Sequence, residues 1–523
     1  MRLDYEIRLA GGETLRGSRE LEPGENIIKV SLPEGKLEKV SGLVELPIVG
    51  DEKIFMNGYQ TWTFCPEYTA EDRILPWKPL PRFLVNKFGL DRYGDYHFMD
   101  YPKKRGLTHG FSYCYFRWGE EFRLFASLDE RPGYTIFRYD SGAGRLTIER
   151  DCKGLLCGGD YPAFQLYCAQ GTEQQVFDGW FAAMGIKPRT REKLAGYSSW
   201  YNRYENIDEE SIRADLAGCA QVLRPGDLFQ IDDGWQQGVG DWECNDKFPH
   251  GLKPLVDEIH GKGLKAGLWL APFGCQKGAR LMQEHPDWLL QVEGKPWYCG
   301  CNWGGFYALD IDKPEVRDYL RRVFDRVLNQ WGFDLVKLDF LYAAAPFGNE
   351  RESRAGRMLR AMELLRECCG EKLILGCGVP LMPAFGLVDY CRVSCDVSLD
   401  WDDKPHMRLI HRERVSTRQA ILTSLFRRQL NGRAFLSDPD VFFLRENNVK
   451  LPPQRKKLLA DCCSLFGGML LCSDDMAKYT PAAMAQYRQM LKNRQAENIR
   501  VLADSGLRVR YTLEGQEKEL VIE

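Results

Sequence analysis

Residues 331–340 read WGFDLVKLDF, a short apolar run in which a lysine stands two positions before an aspartate. Side chains of a strand alternate between its two faces, so Lys337 and Asp339 are predicted to share one face. An unpaired charge there is costly to bury, and the ammonium compensates Asp339 and favours its ionised form. An ionised carboxylate at the carboxyl end of a barrel strand can act as a nucleophile. The alternative is an aspartate that caps the next helix.

The ends of the other predicted strands also carry acids, aromatic residues and an arginine. They are Trp200, Tyr201, Asp232, Asp233, Trp235, Trp269, Arg392 and Asp396. Each one alone could be a helix cap, a core aromatic residue or half of a surface ion pair. Together they predict a polar cup with aromatic walls, in which carboxylates bind neighbouring sugar hydroxyls and rings cover the C–H faces.

Asp339 and Asp396 supply the pair of carboxyl groups that glycoside hydrolysis requires. Asp339 is expected to stay ionised beside Lys337. Asp396 lies in a loop-like segment, RVSCDVS, where weak solvation would keep it protonated and suited to act as the acid. Arg392, four residues earlier, would favour the ionised form of Asp396 if it reached the carboxyl group. The sequence leaves both possibilities open.

A second stretch with possible binding chemistry is NGYQTWT at residues 57–63. Two aromatic residues and two amides in a turn-like segment indicate either a capped loop with its own small cluster or a platform on which a sugar stacks. In the second case the aromatic faces would pack on the apolar side of the sugar and the amides would bond its hydroxyls.

Composition limits the class of protein. The 523 residues allow two or three domains, and 71 basic against 74 acidic residues give no electrostatic support for binding nucleic acid or membrane. The first residues do not resemble a signal peptide, and no apolar run reaches the roughly 20 residues of a membrane span. The 18 cysteines lack zinc-finger spacing and are expected to be reduced and packed as small apolar residues, in the cytoplasm.

The pattern of strands and helices predicts a multidomain α/β protein. Residues 1–170 are predicted to form an N-terminal β-sandwich, 171–186 a helical linker, 187–494 a (β/α)8 TIM barrel and 495–523 a small C-terminal β appendage. Eight barrel strands are predicted at 195–201, 228–231, 264–270, 334–338, 372–376, 388–394, 433–436 and 468–472. No GxGxxG or GxxxxGK[ST] motif supports a nucleotide site.

Several of these motifs resemble a known family. FPHGLKPL at 248–255 and IHGKGLKAGLW at 259–269 resemble the signature of the α-galactosidase clan. The set DDGW at 232–235, WLAPF at 269–273, KLD at 337–339, GCG at 376–378 and RVSCD at 392–396 is similar to glycoside hydrolase family 36, particularly its shorter bacterial members. NGYQTW at 57–62 looks like the sandwich loop that reaches over the barrel mouth in that family.

The resemblance implies a retaining mechanism with Asp339 as nucleophile and Asp396 as acid/base, and no metal or other cofactor. It implies that Asp232, Asp233, Lys337 and Arg392 bind galactose hydroxyls and that Trp62, Trp200, Tyr201, Trp235 and Trp269 form walls. Cys377 is expected to contact the substrate. Its segment, CGVPLMP, differs from the CxxGxxR-type loop of the longer members near the 2-hydroxyl, so the preference at C2 stays open.

The resulting functional hypothesis is an exo-acting α-galactosidase on small oligosaccharides, with an α-galactoside as its small-molecule partner. α-N-Acetylgalactosaminidase, another α-glycosidase or a transglycosylase would use the same machinery. A sugar-binding protein that has lost catalysis is the alternative of a different class. The sequence does not determine the oligomeric state.

Overall fold

The computed structural model describes residues 1–77, 80–402, 404–405, 407–408, 410–503 and 506–522. Its first part is an antiparallel β structure with buried and exposed residues alternating along many strands, as in the pattern eBeBiBeB of Arg2–Leu9. The strands are Arg2–Leu9, Thr14–Glu20, Gly24–Glu45, Lys53–Met56, Glu67–Tyr68, Leu107–Phe111, Tyr113–Trp118, Glu121–Ser127, Thr135–Asp140, Arg145–Arg150 and Leu156–Thr172.

The long strand Gly24–Glu45 joins the two halves of this β structure. Its first half pairs with Leu156–Thr172, and its second half pairs with Arg2–Leu9 and Arg145–Arg150. A buried apolar cluster between the halves includes Leu37, Val44, Phe116, Phe137 and Leu166. The arrangement fits the predicted β-sandwich, whereas the domain bounds themselves stay a prediction.

The second part contains a nine-stranded sheet in which all neighbouring strands are parallel. Its strands are Leu194–Ser198, Leu228–Ile231, Lys265–Leu270, Leu335–Leu338, Leu373–Gly376, Tyr390–Arg392, Leu436–Asp438, Val441–Phe442 and Met469–Cys472. Nearly every residue in them is buried, as expected where helices cover the outside of a parallel sheet.

The sheet closes through an interrupted strand. Leu436–Asp438 pairs with Tyr390–Arg392, and Val441–Phe442 pairs with Met469–Cys472 at the other end of the sheet. Only Pro439 and Asp440 separate the two short strands. We count them together as the seventh barrel strand, so that Met469–Cys472 is the eighth. The closed parallel sheet fits a TIM barrel.

Helices follow most of the barrel strands and begin with recognisable caps. Thr172 and Asp208 form capping boxes, and Pro314, Pro453 and Pro481 stand at the first helical position. The α-helices are Arg82–Phe88, Glu173–Met184, Trp200–Arg203, Glu209–Cys219, Lys253–Gly261, Arg280–Glu284, Pro314–Asp325, Arg354–Cys369, Thr417–Phe426, Pro453–Phe466 and Pro481–Asn493. None of the described helices is long and apolar enough to cross a membrane.

Three smaller sheets complete the described part of the chain, one of them the two-stranded pair Gln291–Val292 and Lys295–Pro296. Gly274–Gln276, Tyr298–Gly300 and Phe306–Ala308 form a sheet after the third barrel strand that the sequence pattern did not predict. Glu497–Leu502, Leu507–Leu513 and Gln516–Ile522 form an antiparallel sheet in the region where the sequence predicts a β appendage. Its Val501, Val509 and Ile522 are buried in the same apolar cluster as the barrel core.

The cysteines behave as small core residues. All 18 are free, and only Cys301 is exposed. Burial raises the pKa of many of these thiols, including Cys377 and Cys395, which favours the neutral form.

One buried arginine attaches the N-terminal loop to the barrel. Arg427 follows the helix Thr417–Phe426 and is 0% exposed. It donates from Nε to Asn57 Oδ1 at 3.0 Å and from Nη1 to the carbonyls of Thr61 at 2.6 Å and Val393 at 2.9 Å. Nη2 donates to the Gln60 carbonyl at 3.1 Å. The guanidinium therefore satisfies loop and barrel acceptors that no water reaches.

We predict that Arg427→Met lowers the free energy of unfolding by about 3–5 kcal/mol, because buried acceptors lose their donor. Arg433→Met is the matched control. Arg433 lies six residues later, pairs with Asp178 at the surface, and its loss should cost less than about 1 kcal/mol. Thermal and urea unfolding of both variants measures the difference. Equal unfolding midpoints for the two variants would contradict the role of Arg427.

Candidate active site

A cavity of about 400 Å³ opens at the carboxyl ends of the barrel strands. It collects most of the residues that the sequence singles out. Those that line it are Trp62, Trp200, Asp232, Asp233, Trp269, Lys337, Asp339 and Asp396. Residues from five different strand ends and from the N-terminal loop thus meet in one space, as the strand pattern predicts.

Lys337 is the cation at the floor of this cavity. Its Nζ lies 3.0 Å from Asp232 Oδ2 and 3.8 Å from Asp339 Oδ2. Gln230 Nε2 also donates to Asp232 Oδ2, at 2.8 Å. Burial lowers the pKa of Lys337, but the two carboxylates more than offset this and leave the pKa raised. The lysine therefore stays charged.

Asp339 follows the fourth barrel strand, Leu335–Leu338, and both of its oxygens have donors. Oδ2 accepts from Trp269 Nε1 at 3.1 Å, and Oδ1 accepts from the Phe340 amide at 2.9 Å. Burial raises the pKa of Asp339 in spite of the lowering effect of Lys337. The sequence predicted that Lys337 would set the pKa of Asp339, and this is wrong. The ammonium lies closer to Asp232 and is shared between the two carboxylates, so burial has the larger effect.

Asp396 lies on the loop after the sixth strand and is the more exposed of the two proposed catalytic acids. Its side chain is 37% exposed, against 9% for Asp339. Arg392 Nη1 donates to Asp396 Oδ1 at 2.6 Å, so the contact that the sequence left open is formed. The charge of Asp396 also contributes to raising the pKa of Asp339, which indicates that the two carboxyl groups lie near each other.

Four residues predicted to contact substrate are not among the described residues that line the cavity: Tyr201, Trp235, Cys377 and Arg392. Three of them, Trp235, Cys377 and Arg392, bond a lining residue from behind. Trp235 is 0% exposed and donates from Nε1 to the Trp269 carbonyl at 3.0 Å. Cys377 Sγ accepts from Trp62 Nε1 at 3.3 Å.

Tyr201 and Arg392 are similarly buried, at 4% and 3% exposure. Tyr201 was expected at the end of the first strand, but that strand stops at Ser198 and the short helix Trp200–Arg203 follows. One turn of helix places Trp200 in the cavity and Tyr201 behind it. The predicted extension of the first strand to Tyr201 is therefore wrong, because strand periodicity does not describe a helical turn.

Trp303 is the most informative residue that the sequence reasoning missed. Its Nε1 donates to Asp233 Oδ2 at 2.8 Å, and its ring lies 5.8 Å from the ring of Trp269. It adopts a positive φ of 54° just before Gly304 and Gly305. A tryptophan followed by two glycines in a polar loop is the signal that could have found it.

Other missed residues form the outer rim of the cavity: Leu90, Tyr93, Glu205, Cys301, Asn302, Phe340, Ile410, His411, Glu413, Arg414 and Val415. His411 stacks on Tyr93 with ring centroids 4.8 Å apart. Only the fold brings these segments together. Among the described residues, no group of His, Cys, Asp and Glu is arranged to hold a metal ion.

Gly378 allows the N-terminal loop to close over Asp339. It has a φ of 58°, and a Cβ there would lie 2.9 Å from the Trp62 ring and 3.0 Å from the Phe340 amide nitrogen. The Thr61 amide donates to the neighbouring Val379 carbonyl at 3.0 Å. Any larger residue would push Trp62 away from the cavity.

The carboxyl group of Asp233 has a strongly raised pKa. Burial raises its pKa to about 6, although Gln236 and Trp303 donate to it and lower the pKa in part. The unfolded value is about 3.9. The folded protein therefore holds this proton more tightly, and the associated stability is present below about pH 4 and lost as pH rises through about 6.

We predict that Asp233→Asn gains stability relative to the unsubstituted protein by about 2–3 kcal/mol between about pH 4 and pH 7.5, because it has no proton to lose. Unfolding midpoints across this range measure the change. Asp232→Asn is the comparison: it deprives Lys337 of its nearest carboxylate and should lower stability at pH 7.5. A pH-independent difference for Asp233→Asn would refute the assignment.

Comparison with known proteins identifies relatives of this architecture. The Melibiase family matches residues 187–361. An α-galactosidase of Escherichia coli is 29% identical over 194 residues, which is 34% of this chain and 26% of that protein. α-Galactosidase 1 of Pediococcus pentosaceus is 35% identical over 159 residues, 29% of this chain and 21% of that protein. These matches span only about a quarter of the relatives' lengths.

Solved structures extend the similarity to nearly the whole chain. The α-galactosidase of Thermus thermophilus, in complex with p-nitrophenyl α-D-galactopyranoside, has a TM-score of 0.76 at 27% identity and covers 98% of both chains. The family 36 α-galactosidase AgaA of Geobacillus stearothermophilus, at 15% identity and a TM-score of 0.60 over 97% of this chain and 80% of that one, shares the fold. The resemblance predicted from the motifs is therefore confirmed: residues 187–361 match the Melibiase family, and the chain is similar to α-galactosidases.

Proposed function

We propose that this protein hydrolyses terminal α-galactosides of small oligosaccharides or glycoconjugates with retention of anomeric configuration. The observation that carries the proposal is the cavity of about 400 Å³ that holds both Asp339 and Asp396, one enclosed and one partly open to solvent. Its size suits one sugar ring with part of an aglycone. The similarity to the Thermus thermophilus enzyme over 98% of the chain supports the galactoside as substrate.

Asp339 acts as the nucleophile in this proposal. Trp269 and the Phe340 amide hold its two oxygens in fixed directions, which prepares one of them to attack the anomeric carbon. Asp396 donates its proton to the leaving oxygen in the same step. It then accepts a proton from water as that water breaks the glycosyl–Asp339 bond and releases the sugar. Retention requires the two carboxyl groups to lie about 5–5.5 Å apart.

Asp232, Asp233 and Lys337 are proposed to bind the sugar hydroxyls. The carboxylates accept hydrogen bonds from hydroxyl groups, and the shared ammonium donates one. The rings of Trp62, Trp200, Trp269 and Trp303 cover the C–H faces of the sugar. An excess of acids over cations in the cavity also stabilises the positive charge that develops on the sugar ring in the transition state.

The architecture that we propose for this chemistry is a (β/α)8 barrel over residues 187–494. Residues 1–170 form a sandwich domain, 171–186 a helical linker and 495–523 an appendage. Trp62 is the contribution of the first domain to the cavity. Arg392 and Cys377 are proposed to act from behind the cavity wall, through Asp396 and Trp62.

We predict that Asp339→Asn lowers kcat/KM on p-nitrophenyl α-galactoside by at least about 10³-fold, because the amide is a very poor nucleophile. Asp334→Asn is the matched control. Asp334 lies just before the same strand at its opposite end, where it accepts from the Ala266 amide at 2.9 Å. Its loss should change kcat/KM by less than about threefold, since the lower end of a barrel serves stability.

The competing functions are separated by a panel of aryl α-glycosides with the product anomer read by NMR. Faster turnover of the N-acetylgalactosaminide would assign the protein to that substrate, and excess disaccharide would indicate transglycosylation. If the unsubstituted protein binds galactose but turns over no glycoside, the proposal that it is an enzyme is wrong. First release of the β-anomer would exclude retention.

A further inference from the structure

A buried group of charges lies behind Asp396, and Arg392, Asp438 and Asp440 are not among the described residues that line the cavity. Arg392 is its centre, and each donor nitrogen of the guanidinium faces a different carboxylate. Nη1 donates to Asp396 at 2.6 Å, Nε donates to Asp438 Oδ2 at 3.0 Å, and Nη2 donates to Asp440 Oδ1 at 2.8 Å. Two of these carboxylates, Asp438 and Asp440, are at most 1% exposed.

Asp440 also contacts the loop of Asp396 directly. Its Oδ2 accepts from the Val397 amide at 2.8 Å, and Val397 is the residue directly after Asp396. The same oxygen accepts from Tyr201 Oη at 2.7 Å. Asp440 therefore holds both the guanidinium that contacts the acid and the backbone that carries it.

The backbone at Asp440 adopts an unusual conformation. Asp440 stands in the break of the seventh barrel strand, between Leu436–Asp438 and Val441–Phe442, and has a φ of 78°. A residue with a side chain is rarely found at positive φ and pays a conformational cost there. The Asp440 amide donates to Asp438 Oδ1 at 2.9 Å, which stabilises the turn.

We propose that Asp440 is a positioning residue that fixes the proton donor Asp396 through the Arg392 guanidinium and the Val397 amide. This inference rests on the proposed function. Tyr201 and Arg392, which do not line the cavity, then also help to position Asp396. Asp440 does not touch the substrate and takes no part in bond making.

The charges around Asp440 connect it to the pH dependence of the reaction. Burial raises the pKa of Asp440 to about 6, Arg392 lowers it, and Asp396 and Asp438 raise it. Tyr201 and Cys463 are the other titratable groups in contact with it. The negative charge of Asp440 disfavours further negative charge in this group of acids, so its removal should move the alkaline limb of the pH–rate profile to lower pH.

The test is Asp440→Asn, assayed by kcat/KM on two α-galactosides. Methyl α-galactoside needs its leaving oxygen protonated, and we expect a loss of about 10- to 100-fold. Dinitrophenyl α-galactoside needs almost no protonation, and we expect a loss of less than about threefold. The alkaline limb of the pH profile for the methyl galactoside should move to lower pH by at least about half a unit.

Asp474→Asn is the matched control. Asp474 is also 0% exposed, accepts from the Leu444 amide and from Tyr479, and does not line the cavity. It should affect both substrates equally and leave the pH limb in place. Equal losses on both substrates for Asp440→Asn, with an unmoved limb, would overturn the inference and reduce Asp440 to a structural role.

A second variant keeps the test decisive if Asp440→Asn does not fold. Tyr201→Phe leaves the carboxyl group in place but removes one donor to it, which favours neutral Asp440. The same alkaline limb should move in the same direction by a smaller amount, and no movement would overturn the inference. Failure of the proposed function is distinguishable, because the unsubstituted protein would then turn over neither galactoside.

Discussion

The compensation of buried charge is the constraint on which the site depends. Asp232 and Asp339 share Lys337, and Asp396, Asp438 and Asp440 share Arg392. A carboxylate without such a partner would take up a proton or destabilise the fold, because desolvation penalises its charged form. Two cations, on the fourth and sixth barrel strands, thus allow several acids to lie around one cavity. Where burial outweighs this compensation the pKa stays raised, to about 6 for both Asp233 and Asp440.

Closure of the cavity is a second requirement, and the β domain meets it. Arg427 bonds both to the loop at residues 57–61 and to the Val393 carbonyl, just before the segment that carries Asp396. Gly378 lets Trp62 approach the turn after Asp339. The N-terminal loop and the two proposed catalytic acids are therefore held by common contacts. A wall contributed in this way excludes water, which strengthens every electrostatic interaction inside the cavity.

The acids also differ in what surrounds them, and this difference suits them to different tasks. Asp339 is enclosed and held by donors to both oxygens. Asp396 is partly exposed and is held through Arg392, which is itself fixed by carboxylates farther from the cavity. A nucleophile needs a fixed direction of attack, whereas a group that exchanges protons with water needs access to solvent. The environment of each acid matches its proposed role.

The sequence by itself determined most of the barrel strands, most of the helices and the motif residues, because strand periodicity and strand-end acids are local signals. It placed Asp232, Lys337 and Asp339 in one site for the same reason. The seventh strand, predicted at 433–436, lies instead at Leu436–Asp438 and Val441–Phe442. Only the tertiary structure decided which marked residues face the cavity: Trp235 and Arg392 lie behind it, while Trp303 and His411 join it from distant segments. Burial, shared cations and close approach of loops depend on contacts between residues far apart in the chain, and no local pattern encodes them.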